Sequence, residues 1–276
     1  MTLPGWHLHL DVWLFFATLA ATYVIACRRH RDRTGQVTPR DRRVLFFSGL
    51  GLLWLASDWP MHDLSEKYLY AAHMVQHMVF TLVAAPLLVS GIPAWMWRGL
   101  LAPAPIRRVF GFVVKPVVAL VVFNGVLLFT HWPAVVEASV GSEIVHFSLH
   151  VLVVSSAVVM WWPVVSPLPE MPPLPPPGQM LYLFLQSLVP TIPASFLTFG
   201  HHPLYEIYAT FPRIWGISAL TDQLVAGLIM KLAGGLILWG VIAAVFFRWG
   251  NREQREGWDP LQWQGVDAEI RTELNR

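Results

Sequence analysis

Residues 69–91, LYAAHMVQHMVFTLVAAPLLVSG, contain no Asp, Glu, Lys or Arg and form the stretch that decides the fold. A helix rises 1.5 Å per residue, so about 20 apolar residues cross the roughly 30 Å of hydrocarbon in a bilayer. Comparable apolar runs lie near residues 10–27, 44–60, 111–130, 144–163, 179–199 and 221–247. The sequence therefore predicts an all-α, polytopic membrane helix bundle with seven transmembrane helices.

The composition agrees with this prediction and excludes several classes of function. Apolar residues make up 55% of the chain and charged residues 13%, whereas an ordinary soluble domain has about 25% charged residues. The net charge of +2 is too small to indicate nucleic-acid binding. A single cysteine, Cys27, can form neither an internal disulfide nor a thiolate cluster. Any metal ion must therefore be held by other side chains.

The Lys and Arg residues are distributed unevenly between the two sets of loops. Seven arginines lie in residues 28–43 and more lie at the C-terminal end, whereas the alternate loops carry only Lys67 and Arg213. Because Lys and Arg accumulate in cytoplasmic loops, we expect the N-terminus outside and the C-terminus inside. Residues 1–248 then form the seven-span domain, and residues 249–276 form a cytoplasmic tail.

The histidines are concentrated on the predicted outer side, and among the eleven only His30 falls inside. Two pairs enter the membrane, in HMVQHM and in HFSLH, and residues four apart share one helix face. A polar ring within hydrocarbon needs a partner, either a metal ion or a hydrogen bond to a neighbouring helix. The outer histidines are His7, His9, His62, His73, His77, His131, His146, His150, His201 and His202.

The neighbours of these histidines favour copper. Imidazole binds Cu, Zn, Fe and Ni, whereas thioether prefers Cu(I), so the nearby methionines favour Cu(I) over Cu(II). Zinc is the alternative metal, and methionine could instead serve only as an apolar side chain. Asp222 is predicted to bind the metal or to accept a ring N–H of a ligand histidine, and a solvated carboxylate is the alternative. The candidate ligands are His62, His73, His77, His131, His146, His150, His202, Asp222, Met74, Met78 and Met230.

Three other features lie outside this set. Lys231 falls deep in the last apolar run, where a charge is costly, so we expect it to face the bundle or a wet cavity. Residues 163–178 contain eight prolines and are predicted to form a semi-rigid extended connector. Asp58, Asp63 and Glu66, between the second and third runs, could attract cations, but we interpret them as ordinary loop charges.

Six motifs together resemble the CtaG family of cytochrome c oxidase assembly factors, over roughly residues 55–235. The resemblance implies a bacterial protein of the cytoplasmic (inner) membrane that is not an enzyme and is needed to make a haem-copper oxidase of the caa type. It also implies handling of copper for that oxidase. The positions that match are His73, His77, His131, His146, His150, His202, Asp222 and Gln223. The motifs are HMVQHM, APLLVSGIP, HWPAVVEA, HFSLH, HHPLYEIYA and DQLVAGLIM.

The leading hypothesis is a copper site open to the outside that passes its metal to an oxidase subunit. Its expected ligands are His73, His77, His146 and His150. Copper is expected to reach them by way of His62, His131 and His202. The expected partners are membrane lipid, subunits of the oxidase and an extracytoplasmic copper donor. A haem-binding electron carrier or haem-handling oxidoreductase is the alternative, because paired histidines can be axial ligands. A channel or transporter would need polar groups through the full depth of the bundle, and the inner halves of the runs are too apolar for that.

Overall fold

The computed structural model describes residues 5, 9–256, 270–271 and 273–274. These residues contain helices and no strand, so the predicted all-α class is confirmed. Two π-helical turns, Val79–Ala84 and Ile229–Ala233, join successive α-helices without a break. The α-helices are α1 Leu10–Thr34, α2 Arg40–Ser57, α3 Met61–Lys67, α4 Tyr70–Met78, α5 Ala85–Gly91, α6 Ala94–Leu100, α7 Ala104–Val113, α8 Pro116–Thr130, α9 Pro133–Gly141, α10 Glu143–Val165, α11 Pro176–Leu188, α12 Thr191–Phe199, α13 Glu206–Ala209, α14 Ala219–Leu228 and α15 Gly234–Glu256.

Five helical stretches of the described chain are long and apolar enough to cross a membrane. Two bent pairs, α2 with α3 at 45° and α7 with α8 at 83°, bring the number to seven if each pair is one span. The protein is thus a multi-pass helix bundle. The five stretches are Leu10–Thr34, Tyr70–Gly91, Glu143–Val165, Pro176–Phe199 and Ala219–Arg255.

The predicted fourth run, residues 111–130, is divided between two helices. The helix α8 begins only at Pro116, and residues 111–113 of the run belong to α7. Proline disfavours a helical conformation in the residue that precedes it, and Lys115 is accordingly extended, with ψ of 136°. The chain therefore turns sharply at this point, where apolar character alone predicts one continuous helix.

Small residues allow two helix pairs to approach closely. In α5, Gly91 lies against the backbone of Phe46 in α2, and the Tyr23 hydroxyl of α1 donates to the Gly91 carbonyl at 3.1 Å. In α14, a Cβ added to Gly227 would lie 2.9 Å from the Ala194 carbonyl of α12. Close backbone approach of this kind is a main source of helix association in membranes.

The proline-rich connector is extended over a shorter range than predicted, because α10 continues through Pro163 and α11 already begins at Pro176. The intervening chain folds back on the bundle. The Leu174 amide donates to the Pro163 carbonyl at 2.8 Å, and Leu168 is buried. The connector is therefore a packed part of the fold.

The last helix runs past the predicted boundary between the membrane domain and the tail. From Ala219 to Glu256 the chain is helical throughout, and the π-helical turn replaces α-helix only at Ile229–Ala233. Most of the remaining tail lies outside the described residues.

Candidate metal centre

Seven imidazole rings form a continuous chain of contacts at one end of the bundle. Successive ring centroids in this chain lie between 4.2 and 6.5 Å apart. The contacts show that the N-terminal ends of α1, α4 and α10 and the C-terminal end of α8 meet. The clustering expected from sequence is thus present, and His30 lies apart from it, stacked on Trp95 at 4.1 Å. The seven rings are those of His9, His62, His73, His77, His131, His146 and His150.

Three of these rings come close enough to serve one ion. His73, His146 and His150 each offer a ligand atom within 4.8 Å of the other two. Nitrogens that share a tetrahedral ion at about 2.0–2.1 Å lie roughly 3.3 Å apart. Side-chain adjustments on the order of 1 Å would therefore bring the three nitrogens onto one metal ion. We call these three residues the inner cluster.

Four buried ring nitrogens here have neither a hydrogen-bond partner nor an ion-pair partner among the described residues. They belong to two members of the inner cluster and to two adjacent histidines. A buried polar atom without a partner costs about 1–3 kcal/mol, so four together need an explanation. A bound metal ion would satisfy such nitrogens. The atoms are His73 Nδ1, His77 Nε2, His131 Nε2 and His150 Nε2.

The tautomer of His131 is fixed by its surroundings. Its Nδ1 lies 2.7 Å from the Leu127 carbonyl, which can only accept, so Nδ1 carries the proton. Nε2 then keeps its lone pair, the form in which a neutral imidazole binds metal. The Tyr205 hydroxyl donates to the His131 carbonyl at 2.8 Å and holds this helix end in place. His131 is therefore prepared to act as a ligand beside His77, whose ring lies 6.5 Å away.

Glu66 is a site residue that the sequence analysis missed. Its Oε1 lies 3.0 Å from Nε2 of His146, and its Oε2 lies 3.3 Å from Nε2 of His62. The interpretation of Glu66 as an ordinary loop charge is therefore wrong. The spacing of His62 and Glu66, four residues apart, was the available signal, but it required knowing that the segment is helical. Because Ser139 Oγ lies 3.1 Å from Nδ1 of His146, a metal bound by His146 must replace one of these two contacts.

Asp222 is buried, and its carboxylate accepts hydrogen bonds from the backbone and not from a histidine ring. Its two carboxylate oxygens accept from the amides of Tyr70 and Ala71, at 2.8 and 2.9 Å. These amides open α4, where a helix leaves its first N–H groups without internal acceptors. Asp222 therefore fixes the start of the helix that carries His73 and His77. The expected hydrogen bond to a ring N–H is replaced by these two backbone contacts.

We expect Asp222→Ala to weaken both the fold and the metal site. The change leaves the buried amide of Tyr70 and the partly buried amide of Ala71 without an acceptor, and loss of a helix cap costs about 0.5–2 kcal/mol. The melting temperature in detergent should fall, and Cu(I) affinity, measured by competition with a chromogenic chelator, should fall with it. Glu206→Ala, at an exposed position in α13, is the matched control and should change neither quantity. If Asp222→Ala leaves Cu(I) affinity unchanged, Asp222 does not position the histidines of α4 for metal binding.

The remaining candidate ligands divide into two groups. His202 is exposed and stays outside the contacting rings, and its carbonyl accepts from the Gln223 side chain at 3.4 Å. The three methionines, in contrast, line a cavity directly next to the inner cluster. These are Met74, Met78 and Met230.

This cavity is small, with a volume of about 50 Å³, and it opens to the surface of the bundle. His77 and His131 also line it, and both π-helical turns contribute, through Thr81 and Lys231 among others. Such turns occur frequently at functional sites. Lys231 lines this cavity and is also exposed at the surface of the bundle. The donor set of this cavity is imidazole and thioether, which suits Cu(I).

A family model described as cytochrome c oxidase caa3 assembly factor matches residues 21–252. No curated protein and no solved structure gave a significant match.

Proposed function

We infer the function from one premise: the chain belongs to the family of cytochrome c oxidase caa3 assembly factors. We propose that it serves this assembly by binding copper at the inner cluster and passing it to a subunit of the oxidase. The role is that of a carrier, with membrane lipid around it and an extracytoplasmic donor as the source of copper.

One observation carries this proposal: four buried ring nitrogens without hydrogen-bond or ion-pair partners among the described residues lie in the inner cluster and directly beside it. Ordinary structural histidines would direct these nitrogens to carbonyls or hydroxyls. Here they lie beside further imidazoles, which repel one another when protonated and bind metal when neutral. Thioethers in the adjoining cavity favour copper, in the Cu(I) state, over zinc.

The charge distribution supports an extracytoplasmic position for the inner cluster. His9, in the chain of contacting rings, precedes α1, and Arg31 and Arg33 lie in the last turn of the same helix. The 25 residues of α1 extend about 37 Å, enough to separate the two ends across a bilayer. Because arginine-rich ends stay in the cytoplasm, the histidine end faces outside.

The arrangement of the rings favours copper over haem. Two axial ligands of a haem face each other across a flat slot as wide as the macrocycle. In the inner cluster, the rings of His73 and His150 are 5.7 Å apart, and those of His77 and His146 lie beside them. These two neighbouring rings occupy the sides of the space that a haem would need.

The cavity also argues against a channel. Lys231 lines it beyond the histidines, so a cation that moved deeper would meet a positive charge. An apolar core cluster that includes Phe123, Met160, Trp161 and Leu183 occupies the adjoining part of the bundle. These features fit a site that retains its ion.

The proposal is tested in a strain of the source bacterium that lacks this chain. We expect its caa3-type oxidase to lose copper and activity, and the wild-type chain to restore both. The His73→Ala/His150→Ala chain should restore little, because two of the three inner-cluster ligands are absent. His30→Ala, in a ring outside the chain of contacts, is the control and should restore fully. Full restoration by the double variant at normal abundance would contradict copper delivery through this cluster.

A further inference from the structure

A separate open cavity lies between α1 and α6, at the end of α1 that carries the arginines. It has a volume of about 540 Å³, and its lining includes Ile25, Ala26, Arg29 and Arg33 of α1 and Trp95 of α6. Ala26, Arg29 and Arg33 are spaced three and four residues apart, so they share one face of the helix. The volume is within the range of about 300–1,000 Å³ that is usual for ligand pockets. We call this space the arginine cavity.

The lining of the arginine cavity changes from apolar to basic along α1. Ile25 and Ala26 belong to the apolar run, whereas Arg29 and Arg33 follow one and two turns later. At 1.5 Å per residue, Ile25 and Arg33 are about 12 Å apart along the helix axis. A phospholipid in a bilayer changes in the same direction, because its acyl chains lie in the hydrocarbon and its phosphate lies at the interface. The cavity therefore matches a phospholipid in polarity.

The two arginines of this cavity are available to bind an anion. Arg29 and Arg33 are exposed, and neither forms an ion pair or a side-chain hydrogen bond with any described residue. Residues 28–34 contain four arginines and one acidic residue, Asp32, whose carboxylate is already paired with Arg31 at 3.0 Å. The local charge is thus positive, and guanidinium groups bind phosphate through paired hydrogen bonds.

Trp95 forms the opposite wall of the arginine cavity. Its indole stacks face to face on the ring of His30, with the centroids 4.1 Å apart and 1° between the planes. The indole N–H has no hydrogen-bond partner within the described part of the chain. Tryptophan is enriched at membrane interfaces, where its amphipathic ring lies at the level of the headgroups. The stack therefore holds an amphipathic wall beside the two arginines.

We propose that the arginine cavity is a binding site for an anionic phospholipid, whose phosphate contacts Arg29 and Arg33 and whose acyl chain covers Ile25 and Ala26. Basic pockets between transmembrane helices bind anionic headgroups in this way. A zwitterionic lipid also carries a phosphate, but its ammonium group is repelled by the same two arginines. The site lies at the opposite end of α1 from His9, so it is separate from the chain of contacting rings and does not depend on copper binding.

The test measures binding of phosphatidylglycerol to the full chain in detergent by native mass spectrometry, with phosphatidylcholine for comparison. We expect one phosphatidylglycerol to bind selectively per chain. The Arg29→Gln/Arg33→Gln variant should bind it about 30-fold more weakly, because each basic residue near a headgroup contributes roughly fivefold. Arg28→Gln/Arg40→Gln removes the same charge from exposed positions outside the cavity, so it is the matched control and should bind as the wild type does.

A second variant tests the site without changing its charge. Trp95→Ala removes one wall of the cavity and should weaken phosphatidylglycerol binding several-fold, so it decides the matter if the arginine variant fails to fold. Thermal unfolding shows whether each variant is folded. Displacement of the lipid by millimolar glycerol phosphate or inorganic phosphate would show that the ligand is a soluble phosphate, which overturns the proposal. Equal affinities for the two lipids, or equal losses in the two arginine variants, would overturn it as well.

Discussion

The purified His73→Ala/His150→Ala protein is expected to lose tight Cu(I) binding. These residues supply two of the three ligand atoms that lie within 4.8 Å of one another. Changes to groups that only support metal ligands cost about 10–100-fold in affinity, so loss of two direct ligands should cost more than about 100-fold. Competition with a Cu(I) chelator of known affinity, under reducing conditions, measures the difference.

The matched control for this experiment is the His30→Ala/His202→Ala double variant. It also removes two imidazoles, but His30 stacks on Trp95 and His202 is exposed, so neither belongs to the chain of contacting rings. It should bind Cu(I) as the wild type does. Equal losses in the two double variants would show that the imidazole content, and not the inner cluster, determines binding.

Gly91→Ala is expected to have the largest effect on the fold. An added Cβ would lie 2.3 Å from the backbone nitrogen of Phe46 and 2.6 Å from its Cα. Backbone atoms cannot rotate away, so α5 and α2 must separate. Overpacking of this kind costs about 1–3 kcal/mol and occasionally more. Thermal unfolding in detergent should show a clearly lowered melting temperature.

Gly51→Ala is the control for this change. Gly51 lies in α2, the same helix as Phe46, and nothing lies within 4 Å of an added Cβ. Because Ala favours a helix over Gly by about 1 kcal/mol, this variant should be as stable as the wild type or slightly more so. If Gly91→Ala melts at the same temperature as Gly51→Ala, the close packing of α2 and α5 is not as described.

The sequence predicts the class of fold and much of the site for a simple physical reason. A bilayer requires long apolar helices, so composition alone indicates a multi-pass bundle. Histidines spaced four apart must share a helix face, so His73 with His77 and His146 with His150 are recognisable without a structure. The alternation of helix directions then brings both pairs to the same end of the bundle, where their rings are in contact.

The missed features depend on short elements and on contacts between distant segments. The helix α3 has seven residues, too few for a clear periodic pattern, and Glu66 becomes a site residue only because α3 packs beside His146. Asp222 lies about 150 positions from the amides it binds. The predicted number of spans and the orientation stay predictions, since two of the candidate spans are bent pairs.

The most direct test of the central claim is anomalous diffraction from crystals of the Cu(I)-loaded protein, recorded at the copper absorption edge. The account predicts an anomalous peak enclosed by the rings of His73, His146 and His150. Copper bound elsewhere in the protein, with no peak among these three rings, would contradict it.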